Sequence, residues 1–409
     1  MRIIISILAV VLVAASPISG QSLEDYFRMA AEQNPGLQSK YKEFETALEK
    51  VPQVSALPDP DLSFGYFLSP VETRVGPQRA KISLGQMFPW FGTLEAQGDA
   101  AALIAEAKYQ AFLYARNKLY FKVAAAYYPV HELEQWIEIE RENLRILESY
   151  KNIATTKFEN GNGPMVDVLR VDILEEESMT DLQILEEKKT ALFTTFNELL
   201  NREDTLEVNV PDSIIISDLG DKWRKDSLKQ NPLIEQLDLM LQSSEASERA
   251  ARKQGMPKLG IGLDYVITGE RKDVSLPDNG KDVFMPMVSI SIPFFSKKYE
   301  AAAKESKLMQ ESYSLKKQDV INSLNAAYET EWFNIEQSLA EIELYKKQIE
   351  ENKRILNLLL SAYSNTGNDF EEVLNVQQKL LKYEKMLVTA KVQHELALAR
   401  LNYLTAKNY

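Results

Sequence analysis

Pro257-Lys258-Leu259-Gly260-Ile261-Gly262-Leu263-Asp264-Tyr265-Val266-Ile267 reads as a β-strand with two unlike faces. Side chains alternate along a strand, so Leu259, Ile261, Leu263, Tyr265 and Ile267 share one face. Lys258, Gly260, Gly262 and Asp264 share the other. About ten residues with one greasy and one small or polar face match a strand that crosses a bilayer, apolar towards lipid and wet inside. A hairpin of a soluble sandwich carries the same alternation, so the surrounding sequence has to decide. Downstream, past a polar loop over 268–281, Val288, Ile290 and Ile292 oppose Ser289 and Ser291 in a second strand near 282–292.

The hairpin occurs twice. Pro58 precedes Leu62-Ser63-Phe64-Gly65-Tyr66 as Pro257 precedes Leu259 to Leu263, which places strands near 61–68 and 79–88. Asn34-Pro35 recurs 197 positions later as Asn231-Pro232, and Phe88-Pro89-Trp90-Phe91 recurs 204 positions later as Ile292-Pro293-Phe294-Phe295. Ala125-Ala126-Tyr127 returns at 326–328 and Val168-Leu169 at 373–374. Matches in the same order at a nearly constant offset are the mark of an internal duplication. Each copy reads helix, strand, loop, strand, long helix, break, return helix. In the first, the opening helix is expected over Leu23 to about Ala56. The repeats span 21–217 and 218–409. Aromatic residues at the strand ends (Tyr66, Phe67, Phe88, Trp90, Phe91, Phe294, Phe295) sit where an interfacial girdle would lie.

Ahead of the repeats, Met1-Arg2 and the apolar run Ile3 to Ala15 are followed by Ser16-Pro17-Ile18-Ser19-Gly20. The run is shorter than the roughly 20 residues of a spanning helix, so 1–20 is expected to be a secretory signal. Across all 409 residues the composition is 45% hydrophobic and 26% charged, with a net charge of −13. That excess of acid argues against nucleic acid as a partner. Zero cysteines exclude disulfides, thiolate metal sites and cysteine nucleophiles. Only His131 and His394 could supply imidazole.

The helices set the scale. Thr93 to Glu159 and Ser296 to Ser364 carry a single proline, Pro129. At 1.5 Å per residue each would be about 100 Å long, far beyond a globular helix. Ile335, Ile342, Ile349, Leu356 and Tyr363 recur every seventh residue, and Ile137, Leu144 and Phe158 echo that phase around Lys151. Heptads predict a coiled-coil seam. The breaks 159–164 and 364–369 then send return helices back over Met165 to about Asn201 and Phe370 to about Lys407.

Four strands cannot close a barrel, and an open edge in hydrocarbon leaves backbone groups unpaired. A ring of three chains gives twelve strands, wide enough for a lumen. The fold class expected is therefore mainly α with membrane β-strands: a trimeric 12-stranded barrel continued by a long α-helical coiled-coil barrel.

The duplicated helix–strand–strand–helix unit over about 22–407 resembles the TolC family of outer-membrane efflux channels. Leu57-Pro58-Asp59-Pro60-Asp61-Leu62 and Gln86-Met87-Phe88-Pro89-Trp90-Phe91-Gly92-Thr93-Leu94 are similar to its heavy-metal-efflux, CzcC/CusC-like branch. The resemblance implies a homotrimeric channel-tunnel in outer-membrane lipid. A periplasmic membrane-fusion adaptor and an inner-membrane pump, often of the RND type, would be its partners. It also implies a constricted periplasmic tip held shut by charges and hydrogen bonds. Val166-Asp167-Val168-Leu169 and Glu371-Glu372-Val373-Leu374 match the family's acidic segment beyond the tip turn. Asp167 and Glu372 are thus a candidate ring of six carboxylates in the trimer, with Asp369 and Glu371 beside them. Tyr363 matches a tip tyrosine of the closing network. The basic partner expected a few residues later is Asn368 here. The tip turns with Gly161, Gly163, Gly367 and Asn368 are the expected adaptor contacts. Acidic residues early in a helix also serve its dipole alone, so both readings of the acids stand.

No residue set for catalysis is present. Asp59 and Asp61, flanked by prolines, suit a helix-to-strand crossover better than paired acid–base work, and Met285-Pro286-Met287 suits strand packing better than a thioether metal relay. His131 and His394 read as surface or interhelix residues. No enzyme, cofactor or bound metal is expected. The rival of another class is a periplasmic coiled-coil adaptor or scaffold; as a conduit, the chain could also serve organic drugs or type I protein secretion.

Overall fold

The structure is a computed structural model, describing residues 22–216, 223–273, 275–366 and 370–407. The expected signal, 1–20, and the tip residues Gly367, Asn368 and Asp369 lie outside the described residues.

The chain opens with three short helices, α1 (Leu23–Gln33), α2 (Pro35–Leu48) and α3 (Lys50–Ser55). The single helix expected over this stretch is broken at Asn34 and Glu49. The break at Asn34 has a clear cause. Its extended backbone ends α1, its Oδ1 accepts the Leu37 amide at 3.0 Å to cap α2, and Pro35 takes the first helical position, where a missing N–H costs nothing. Its Nδ2 donates to the Leu199 carbonyl at 2.9 Å. The second repeat repeats the device: Asn231 caps the helix that starts at Pro232 and donates to the Leu404 carbonyl at 2.9 Å. Each Asn-Pro pair therefore stitches the start of one helix to the end of a return helix.

Then come β1 (Asp61–Val71), β2 (Gln78–Phe88), the 67-residue α4 (Thr93–Glu159) and α5 (Met165–Leu199). The second repeat supplies a 3-10 turn (Lys225–Gln230), α6 (Pro232–Gln254), β3 (Lys258–Thr268), β4 (Val283–Ser291), the 70-residue α7 (Lys297–Thr366) and α8 (Phe370–Thr405). The α4 helix runs through Pro129 without a break. Near its start, small residues let neighbours approach closely. A Cβ on Gly98 would lie 2.5 Å from Ser55 Oγ of α3, and Ser243 Oγ of α6 donates to the Ala100 carbonyl at 2.9 Å.

The strands form one antiparallel sheet in the order β1-β2-β3-β4. The register sets Leu62 beside Leu84, Leu84 beside Leu263, and Leu263 beside Pro286, so one face is continuously apolar. Leu62, Phe64, Tyr66, Ile261, Val288 and Ile290 stand exposed on it. On the opposite face Lys81 pairs with the fully buried Asp264, and Ser289 lies beside Met87 over Gly260. Met285 and Met287 are also on this face. The two outer edges, β1 and β4, have no partner strand among the described residues.

The helical part is two antiparallel hairpins, α4–α5 and α7–α8, which meet chiefly through α4 and α8. The seam through Ile335, Ile342, Leu356 and Tyr363 is buried as its heptads predict. In the first hairpin the expected line is displaced. Phe158 is exposed, and the buried row is Leu133, Ile137, Glu140, Asn143, Leu147, Tyr150 and Ala154. Polar residues occupy two of its positions because they satisfy one another. Glu140 pairs with Lys385 of α8 and accepts from Ser178 of α5 at 2.6 Å, and Asn143 bonds Ser178 and Gln377 at 3.1 and 3.2 Å. Buried polar atoms cost little when paired this way.

Candidate functional site

The far end of the helical hairpins gathers the predicted tip residues. The α4 helix closes in a Schellman turn: Asn162 N donates to the Lys157 carbonyl at 2.8 Å and Gly161 N to Phe158 O at 3.0 Å. Gly161 has φ 73°, a left-handed backbone that favours glycine. A Cβ at Gly163 would sit 3.1 Å from Lys157 Cβ, so the turn has little room for a larger residue there.

Beneath the turn an apolar core joins both hairpins: Tyr150 and Val171 of the first with Leu356, Tyr363, Phe370 and Val373 of the second. The Tyr363 and Phe370 rings stack with centroids 4.5 Å apart. Burial of these rings excludes water from the polar links above them, which strengthens those links.

Three links clasp the hairpins to each other. Tyr363 Oη donates to Asp167 Oδ2 at 3.3 Å. Arg170, one turn along α5 from Asp167, lies 3.7 Å from the Asp167 carboxylate and donates to Glu371 Oε2 of α8 at 2.6 Å. Lys157 Nζ donates to the Ser364 carbonyl at 3.3 Å and lies 4.8 Å above the Tyr363 ring. Burial raises the Asp167 carboxyl above its ordinary value, against the lowering pull of Tyr363 and Arg170. Burial and the Asp167 charge push the Tyr363 phenol up to about 12. The clasp therefore consists of a neutral phenol donating to a poorly solvated carboxylate, flanked by one exposed ion pair.

Asp167, Tyr363 and Glu371 are thus brought together. Glu372 is not: it is exposed and makes no ion pair among the described residues. Nor do Asp167 and Glu372 form an equivalent pair. Asp167 is only 5% exposed and turned onto Tyr363, so in this arrangement it is engaged within the chain. Arg170 and Lys157 were missed from sequence. The basic partner was sought after the tyrosine, at position 368, whereas it comes from the other hairpin at i+3 from Asp167. That helical spacing was the available signal.

Among the described residues no three His, Asp or Glu gather as a metal site, and no helix is long and apolar enough to cross a membrane. His394 is fully buried between α7 and α8 beside Ser338, at 3.3 Å. His131 is buried on α4. Asp59 and Asp61 are exposed at the crossover into β1.

Residues 223–407, the second repeat, match the family described as outer membrane efflux protein. Most of the chain superposes on solved channels. The structure of CusC has a TM-score of 0.78 at 16% identity, covering 94% of this chain and 91% of the other. The fold is that of the outer-membrane efflux channels. VceC from Vibrio cholerae follows at 0.75 and 14%, with 94% and 95% covered. The open state of the Neisseria gonorrhoeae MtrE outer membrane channel gives 0.75 and 18%, with 94% and 89% covered. No curated protein matches the sequence. The efflux-channel fold accounts for the two repeats as one architecture, a sheet that continues into two helical hairpins.

Proposed function

We propose that three copies of this chain form a non-enzymatic conduit in the outer membrane, carrying substrate from the periplasm or an inner-membrane pump to the exterior. The observation that carries this reading is the four-stranded sheet. Its exposed apolar face, its two unpaired edges and its continuity with helices about 100 Å long leave no stable monomer in lipid. Three sheets joined edge to edge satisfy every backbone group in a twelve-stranded barrel. The match of the second repeat to the efflux family supports the same reading.

In this conduit the clasp of Asp167, Tyr363, Arg170 and Glu371 holds the periplasmic tip closed. A periplasmic adaptor engaging the tip turns at Gly161, Gly163, Gly367 and Asn368 pulls the hairpins apart. The acids Glu372, Glu371 and Asp369 then favour cations at the entrance. An inner-membrane pump, of the RND type, supplies the energy. The cargo we assign is heavy-metal cations, supported by the two branch-like segments at 57–62 and 86–94 and by the likeness to CusC. Organic drugs are the second reading, since the fold, shared with VceC and MtrE as with CusC, does not itself restrict the cargo to metals.

Cells lacking the protein, with and without re-expression, test cargo directly. Hypersensitivity to copper, zinc or cadmium that re-expression reverses supports the first reading. Sensitivity confined to dyes and detergents supports the second.

A further inference from the structure

The sheet carries three methionines, Met87 on β2 and Met285 and Met287 on β4, and all three lie on its polar face. Packing against lipid does not explain them, since the apolar face is supplied by their neighbours, Leu84 and Pro286 among them. The register sets them around a floor of glycine. Asp61, Gly85, Gly262 and Met287 form one row across the four strands, and Met87, Gly260 and Ser289 form the next. A Cβ at Gly85 would meet nothing within 4 Å, so the floor is open. Over β3 two of the methionines lean in from opposite sides. A Cβ on Gly260 would lie 2.6 Å from Met87 Sδ, and one on Gly262 would lie 3.4 Å from Met287 Cε. Those two glycine positions are about 7 Å apart along the strand, a gap that two flexible thioether side chains can close on a shared ion. Met285 stands two residues from Met287 on the same face. The Met285 and Met287 side chains are 43% and 38% exposed, so a solute passing over this face reaches them. We propose that the floor is a transit site for a thiophilic monovalent cation, Cu(I), ligated by the Met87 and Met287 thioethers with Met285 as the next ligand along β4.

Thioethers are soft, neutral ligands that suit Cu(I) and leave hard or borderline ions such as Zn(II) to oxygen and nitrogen. The surrounding charges do not oppose a cation. Asp61 shares the Met287 row, and Lys81, the nearest ammonium, is paired with Asp264 in the row of Met285. Neutral sulfur ligands hold an ion loosely, and a site on a conduction path has to release what it binds. The ion is therefore cargo, not a resident metal. The inference rests on the conduit reading and names the cargo class for it, although the site itself is defined by the register and the glycine floor.

The test is calorimetric titration of the purified, detergent-solubilised protein with Ag(I), which shares the ligand preference of Cu(I), in chloride-free buffer. Saturable binding that excess Zn(II) does not displace is expected. It should weaken at least tenfold in Met87→Leu/Met287→Leu and stay unchanged in Met179→Leu, whose methionine is 59% exposed on α5. Oxidation of the native protein by hydrogen peroxide decides the matter if the double variant does not fold: Ag(I) should slow sulfoxide formation at Met87 and Met287 several-fold relative to Met179. Binding indifferent to the double variant, or equal protection of all three methionines, overturns the site. Both readouts are made in detergent and stand apart from conduction. A protein that conducts in a bilayer but fails them keeps the conduit and loses the site, whereas one that passes them without inserting keeps the site and loses the conduit.

Discussion

Asp167 illustrates how one buried side chain links chemistry to the state of the tip. Its carboxyl is raised because burial penalises the ionised form more than Tyr363 and Arg170 favour it. Once the hairpins separate, water returns and the carboxyl falls towards its ordinary value. The closed form therefore binds the proton more tightly, and acidification from neutral pH into the raised range favours closure. Open probability in a planar bilayer should fall as the tip side is acidified, and Asp167→Asn should flatten that dependence. Glu140 makes the complementary case. It is fully buried and satisfied by Lys385 and Ser178. Lys385→Met leaves its charge buried without a counter-ion and should cost about 3 kcal/mol, whereas Glu140→Leu with Lys385→Met should restore most of that. Denaturant unfolding followed by circular dichroism measures both.

At the scale of elements, the Asn-Pro pairs carry more than their local turn. Asn34→Ala and Asn231→Ala each remove a cap and leave a return-helix carbonyl, Leu199 O or Leu404 O, without its donor. Each should destabilise the helical part by about 1–2 kcal/mol. The two sites are distant in the chain and share no partner, so the losses should add; thermal melts of the single and double variants check this. The pairs were visible in the sequence as a repeat signal, but their long-range bond was not, because nothing local in Asn34 points to residue 199. The α7 seam was readable for the opposite reason: isoleucines every seventh residue suffice when the buried row is apolar. In α4 the row includes Glu140 and Asn143, and a search for apolar periodicity passes over them. The strands were readable to within three residues because alternation is a two-residue pattern that a duplicated copy confirms. At the tip, Tyr363, Asp167 and Glu371 could be placed by resemblance, while Arg170 was signalled only by its i+3 spacing from Asp167, its partner Glu371 lying on another hairpin.

The whole molecule carries a sheet whose two faces meet different solvents. If β4 crosses lipid, Val288→Arg places a charge on the apolar face and should cost about 2–4 kcal/mol of barrel stability, with loss of membrane-integrated protein. Ser289→Arg, one residue on and facing the lumen, should assemble normally and reduce cation conductance. Fractionation of outer membranes with heat-modifiability on gels distinguishes the two. Equal tolerance of both changes would mean that the sheet does not face lipid. On the proposed function, the clasp at Asp167, Tyr363 and Arg170 is the point at which a change of a few atoms alters a passage about 100 Å long.

Single-channel conductance in a planar bilayer, for the native protein beside Tyr363→Phe with Arg170→Ala, bears on this most directly. The native protein should insert and give small, cation-selective currents. The double variant lacks the phenol donor and the Glu371 ion pair, and should insert equally well with several-fold larger steady currents. A native protein that stays soluble without detergent and never inserts would contradict the barrel, and a double variant with native currents would contradict the clasp.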